Sequence, residues 1–162
     1  MYPAELTQAA EALLQKAREN EIMIATAESC TGGLLAGLLT EIPGSSDVFD
    51  RGFVTYTLSA KTQILGVPKA MLKIEGSVSE PTARAMAEGA IANSNAQIAV
   101  AITGVAGPSG GSAEKPVGLV HFAACRVGFE MTTRRMEYGD IGRGNVRLAS
   151  VATALELMNA LL

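Results

Sequence analysis

The stretch Ile22-Met23-Ile24-Ala25-Thr26-Ala27-Glu28-Ser29-Cys30-Thr31-Gly32-Gly33 decides how this chain folds. Its first six residues form a short apolar run and read as a buried strand. Glu28 to Gly33 make a turn that ends in two glycines. Leu34 to Thr40 then continues as an apolar helix, stopped by Pro43-Gly44. A buried strand that empties through a turn into a helix is the repeating unit of an α/β sheet.

Working outward, Ala4 to Asn20 places Leu6, Ala9, Ala10, Leu13, Leu14 and Ala17 on one face, the pattern of an amphipathic helix. Gly52-Phe53-Val54-Thr55-Tyr56-Thr57 alternates and is rich in β-formers, which predicts a strand. Two short helical pieces follow, near Ser59 to Leu65 and Lys69 to Ile74. Ser79-Glu80-Pro81 opens a helix to Asn93, with a capping serine and a proline in the first turn. Gln97 to Thr103 is a second buried strand. Val117 to Arg126 and Glu130 to Met136, joined through Val127-Gly128-Phe129, predict an antiparallel hairpin. Asn145 to Leu162 is a closing helix. Helices alternating with buried strands, plus a hairpin, predict one domain over residues 1–162: a three-layer α/β/α sandwich around a mixed β-sheet.

Composition narrows the function. Thirteen Lys and Arg against sixteen Asp and Glu give a net charge of −3, so the positive excess of a duplex-binding protein is missing. Aromatics are 4% of the chain, with no Trp, which argues against a base-stacking platform. No nucleic-acid partner is expected. Hydrophobic residues at 48% exclude a disordered polar chain. The apolar stretches are interrupted by Gly, Glu or Ser well short of the ~18 residues of a membrane span, so no membrane partner is expected. The N-terminal residues lack a basic region followed by an apolar core, so no signal peptide is read. Two cysteines far apart, Cys30 and Cys125, suit free thiols in a reducing cytoplasm. A small Ala/Gly-rich domain with apolar helices is also expected to form a homo-oligomer.

Both glycine-rich segments, Glu28 to Gly33 and Thr103-Gly104-Val105-Ala106-Gly107-Pro108-Ser109-Gly110-Gly111, follow a buried strand directly. Loops at the carboxyl ends of strands are where open α/β sheets place ligands. The first loop also opens a helix, whose free N–H groups would suit a phosphate or a developing oxyanion. Neither segment is a GxxxxGK[ST] loop or a GxGxxG fingerprint, and tight turns alone would also explain the glycines. His121 is the only histidine and lies mid-strand among apolar neighbours, which reads as structural. That argues against a Ser-His-Asp mechanism, and the count alone excludes a His-rich metal site. Base work in a hydrolysis then falls to a lysine or a carboxylate. Lys61 is the lysine of interest; it follows the strand carrying Tyr56 and comes fifteen residues after Ser46. A desolvated lysine can be neutral near pH 7 and take a proton from a serine, with a tyrosine relaying it. Lys61 equally fits a surface position at a helix start; Lys73 and Lys115 are rivals in more polar surroundings. Cys30, at a strand-to-helix turn with Glu28 or Lys61 to assist, offers a competing cysteine-amidase reading, against that of a small buried thiol.

Taken in order, these segments resemble the CinA C-terminal domain family, whose stand-alone members are nicotinamide-nucleotide amidases. The matching residues are Thr26-Ala27-Glu28-Ser29-Cys30-Thr31-Gly32-Gly33, Gly44-Ser45-Ser46 leading into Arg51 to Tyr56 and Lys61, Gly76-Ser77-Val78-Ser79-Glu80, Ile102 to Pro108, and Glu114-Lys115-Pro116-Val117-Gly118. The similarity runs from about Glu5 to Leu162. It implies hydrolysis of the carboxamide of nicotinamide mononucleotide by a serine/lysine mechanism, with no cofactor and no metal. On that resemblance Ser29 is the nucleophile, Lys61 the general base, and Tyr56 and Ser46 complete the proton relay, with Ser46 a second choice of nucleophile. Cys30, Thr31, Gly32 and Gly33 would line the substrate site; Thr103, Gly104 and Gly107 would bind the nucleotide. Arg143 would meet its phosphate, with Arg147 the alternative. The family commonly has Gly-Asp-Arg before the last helix, whereas here Gly139-Asp140 is followed by Ile141-Gly142-Arg143. Larger members carry an additional N-terminal molybdopterin-binding-like domain, for which this chain is too short. A contrasting expectation is a non-catalytic nucleotide-binding or regulatory module.

Overall fold

A computed structural model describes residues 2–162. Five strands form one sheet in the order β2-β1-β3-β4-β5, where β1 is Ile24–Glu28, β2 Phe49–Val54, β3 Ile98–Gly104, β4 Leu119–Arg126 and β5 Thr132–Glu137. β1 is parallel to β2 and β3, while β4 is antiparallel to β3 and β5. Helices α1 (Ala4–Glu19), α2 (Leu34–Glu41) and α6 (Arg143–Ala160) cover one face. Helices α3 (Leu58–Leu65), α4 (Lys69–Glu75) and α5 (Glu80–Ala92) cover the other. The expected single-domain three-layer sandwich with a mixed sheet is what the chain forms.

Alternation along the strands sorts the core into two layers of different thickness. Ile24, Ile98, Val100, Ile102, Val120 and Phe122 point toward α1, α2 and α6. Ala25, Ala27, Ala99, Ala101 and Ala123 point toward α5, which answers with Ala83, Ala87 and Ala90. Small residues on both sides bring α5 close to the sheet. β1 and the first six residues of β3 are buried on both faces, which is why their sequences are dominated by apolar residues, with Thr26, Glu28 and Thr103 the buried polar exceptions. Gly89 of α5 lies against α3 so closely that a Cβ there would overlap the Leu65 carbonyl oxygen.

Pairing moves some element boundaries. β2 starts at Phe49, earlier than alternation predicts, and stops at Val54, opposite the last residue of β1. The Thr55 N–H still donates to Glu28 O at 2.9 Å, and Thr57 becomes the N-cap of α3, accepting from the Ala60 N–H at 3.1 Å. At α5 the Ser79 hydroxyl accepts from the Thr82 N–H, as the capping sequence predicts. α1 ends in a Schellman motif, with Ile22 N–H to Ala17 O and Glu21 N–H to Arg18 O, and Glu21 takes the left-handed position at φ 56°.

The topology locates a crevice. From β1 the chain crosses to β2 through α2 on one face, then returns through α3, α4 and α5 on the other face to β3. The two crossovers part at the carboxyl end of β1, the switch point where open α/β sheets bind ligands. Ser29 is the next residue. Among the described residues, no helix is long and apolar enough to cross a membrane.

Candidate active site

Ser29 extends the ladder by one bond, donating its N–H to Ile102 O at 2.9 Å, and its side chain meets Lys61 beyond the sheet. Lys61 has no exposed surface, and its Nζ donates to Ser29 Oγ at 2.9 Å and to Thr55 O at 2.7 Å. Ion pairs among the described residues leave Lys61 out. Burial without a counter-ion lowers its pKa to about 8, with the Cys30 thiol opposing slightly. With one N–H held by Thr55 O, a neutral Lys61 can turn its lone pair to the Ser29 hydroxyl and accept its proton.

Two buried groups hold the turn after Ser29. The Glu28 carboxylate, fully buried, accepts from the N–H groups of Gly33 and Leu35 at 3.1 Å and of Ala36 at 2.8 Å. The positive end of α2, expected from sequence to face a ligand, is therefore neutralised from inside. Arg147 of α6 donates from Nε to Cys30 O at 3.1 Å and from a terminal nitrogen to Thr31 O at 2.8 Å. That commitment removes Arg147 as a phosphate ligand.

Beside Ser29 opens a pocket of about 260 Å³, lined by Ser29, Cys30, Tyr56, Gly104, Gly107 and Arg143 among others. Arg143 bridges its mouth, donating to Gly107 O at 3.0 Å and to the Tyr56 hydroxyl at 2.9 Å. Ala106, Gly107, Ser109 and Gly110 line the pocket, and their N–H groups have no acceptor among the described residues. These donors with Arg143 form a surface suited to an anion. Gly104 must be glycine because a Cβ would approach Leu119 O at 2.7 Å, and Gly107 because of its positive φ of 76° and the nearby Val117.

Several expectations are corrected. Ser46 sits in a 3-10 turn before β2, and Phe49 pairs with Ile24 at the start of β1. The length of β2, roughly 17 Å, separates it from Ser29, so it belongs to neither dyad nor relay. Tyr56 lines the pocket, but its hydroxyl accepts from Arg143 and forms no hydrogen bond with Lys61 or Ser29. Thr31 is fully buried, and Gly32 and Gly33 shape the turn at φ 60° and 93° without lining the pocket. Thr103 is fully buried, donating its hydroxyl to Ser77 O at 2.6 Å. It thereby anchors Ser77, a pocket residue that sequence reasoning passed over although it lies in a quoted motif. Cys30 lines the pocket, but burial raises its thiol to about 11, away from a thiolate, which counts against the cysteine mechanism. His121 on β4 pairs with Thr103 and Arg135 outside the pocket, and Lys115 donates to Glu75 O. Among the described residues no three His, Cys, Asp or Glu side chains gather as metal ligands.

Fold and site together define a class: three-layer α/β domains with a buried serine–lysine pair at the carboxyl end of the central parallel strand. The chain belongs to the CinA C-terminal domain family, matching that domain over residues 6–162. A CinA-like protein of Akkermansia muciniphila is 53% identical over 120 residues, 74% of this chain and 29% of the relative. A CinA-like protein of Syntrophobacter fumaroxidans is 48% identical over 144 residues, 89% of this chain and 34% of the relative. The chain thus spans about a third or less of these curated relatives. The crystal structure of the competence/damage inducible protein CihA from Agrobacterium tumefaciens superposes with a TM-score of 0.98 at 53% identity, covering 99% of this chain and 98% of that one. A CinA-superfamily structure from Escherichia coli gives 0.91 at 36% identity, covering 97% and 90%.

Proposed function

We propose that the chain is an amidohydrolase acting on the carboxamide of nicotinamide mononucleotide, releasing ammonia and nicotinate mononucleotide. The observation that carries this reading is the 2.9 Å contact between the buried, counter-ion-free Lys61 and Ser29. Neutral Lys61 takes the hydroxyl proton as Ser29 Oγ forms a bond to the carboxamide carbon. The resulting ammonium returns the proton to the leaving nitrogen as the C–N bond breaks, and ammonia departs from an acyl-enzyme. Water then attacks that ester, passing a proton through Lys61 to Ser29 Oγ and freeing the carboxylate product. Arg143 and the free N–H groups of Ala106, Gly107, Ser109 and Gly110 would hold the phosphate of the nucleotide. Both cysteines are free thiols, in keeping with a reducing cytoplasm as the place of work.

An ammonia-release assay on nicotinamide mononucleotide tests the proposal. Ser29→Ala and Lys61→Ala are expected to lose at least about 1,000-fold in kcat, Ser46→Ala to keep its rate, and chelators to change nothing. Turnover in both Ser29→Ala and Lys61→Ala at the wild-type rate would discard the dyad. Binding of the nucleotide by the wild type without turnover would instead support a regulatory module.

A further inference from the structure

We infer that Arg147 is a positioning residue that builds the oxyanion hole beside Ser29, an inference resting on the amidohydrolase reading above. A trans peptide unit points its C=O and the following N–H in opposite directions. By gripping Cys30 O and Thr31 O with one planar guanidinium, Arg147 fixes two successive peptide planes. The grip on Cys30 O turns the Thr31 N–H away from Arg147. Ser29 O accepts from the Gly32 N–H at 3.0 Å, and this turns the Cys30 N–H outward from the turn. Neither N–H donates to another described residue, whereas those of Gly33, Leu35 and Ala36 are consumed by Glu28 and that of Leu34 by Thr31 O.

Thr31 is fully buried and away from the pocket, whereas Cys30 lines it. The Cys30 N–H is therefore the donor beside the nucleophile for the oxygen of a tetrahedral intermediate. The grip on Thr31 O reaches it through the Thr31–Gly32 peptide, whose N–H holds Ser29 O. Arg147 itself does not line the pocket; it lies behind the turn, 3.4 Å from where a Cβ on Gly32 would stand. Its contribution reaches the substrate only through the backbone it holds.

The test compares wild type, Arg147→Gln and Arg147→Lys by two readouts. One is kcat and KM for nicotinamide mononucleotide. The other is the rate of Ser29 labelling by a fluorophosphonate: Ser29 Oγ forms a bond to phosphorus, fluoride leaves, Lys61 takes the hydroxyl proton, and the phosphonyl oxygen enters the oxyanion hole. Arg147→Gln is expected to lower both labelling rate and kcat by about 10- to 100-fold, a misaligned hole costing less than a deleted donor. KM should stay within about twofold and the pH dependence of kcat/KM unchanged, since Lys61 and Ser29 are untouched. Arg147→Lys, able to hold one carbonyl, should recover part of the rate.

Unchanged labelling and kcat in folded Arg147→Gln would overturn the inference. So would a raised KM at constant kcat, or rate losses in both variants that merely track lost folded protein. Labelling of wild-type Ser29 without hydrolysis of the nucleotide would refute the substrate assignment alone, leaving Arg147 to be judged by labelling. If wild-type Ser29 neither labels nor turns over, the nucleophile and the inference fall together.

Discussion

At the scale of single residues, the working group is a lysine kept without a partner. Its depressed pKa makes two measurable statements. Activity should rise about tenfold per pH unit below about pH 8 and level off above it, as the fraction of neutral Lys61 saturates. Stability should also depend on pH. The folded lysine releases its proton near 8 while the unfolded chain holds it to about 10.5, so between those values the unfolded state binds more protons and stability rises with pH. The thiols of Cys30 and Cys125, raised to about 11 from 9.0, act in the opposite sense above pH 9. Subtracting the profile of Lys61→Met cancels them. The difference should climb from about pH 8 by no more than roughly 3 kcal/mol, and a flat difference in chemical denaturation would show that the lysine is not desolvated. Lys61 was only half legible in the sequence. One histidine in the whole chain directs base work toward lysine, but nothing local distinguishes a buried lysine from an exposed one. What buries Lys61 is the end of β1 meeting α3, a contact across 32 residues of chain.

At the scale of elements, caps and turns do more than end helices. The closure of α1 is a complete Schellman motif with a glutamate in its left-handed position, where an L side chain costs roughly 1 kcal/mol over glycine. Glu21→Gly should therefore raise Tm by about 2–4 °C in a thermal melt with activity unchanged, and a lower Tm would deny that the backbone there is strained. The motif is hidden in sequence because the residue that usually announces it is absent. The opposite holds at α5, where Ser79 and Pro81 announce the cap that the structure contains. Glu28 shows a third case. As the last residue of a strand it read as a turn residue or an assistant to Cys30, while in the fold it caps the next helix from within the core. Such a cap is non-local in shape although local in number, and no pattern of apolar periodicity reports it.

At the scale of the whole molecule, fold class was legible because β1 and β3 are mostly apolar, are buried on both faces, and each runs into glycines. The ends of β2 were not, because an edge strand takes its limits from its one neighbour. The same dependence displaced Ser46, whose closeness to Lys61 in sequence hides the length of β2 between them. Helix α3, which carries Lys61, is also placed by something distant: the absent side chain at Gly89 of α5. Gly89→Ala should lower stability by several kcal/mol or shift α3, and kcat should fall with it. Wild-type kcat and Tm in that variant would show α3 to be placed independently of α5. For protein engineering this has a practical meaning. Replacing a mid-helix glycine by alanine is a routine way to gain thermostability, worth up to ~1 kcal/mol in an open helix. Here the same move would trade away the reactive lysine, so Gly89 belongs on the list of positions that a stabilisation campaign leaves alone.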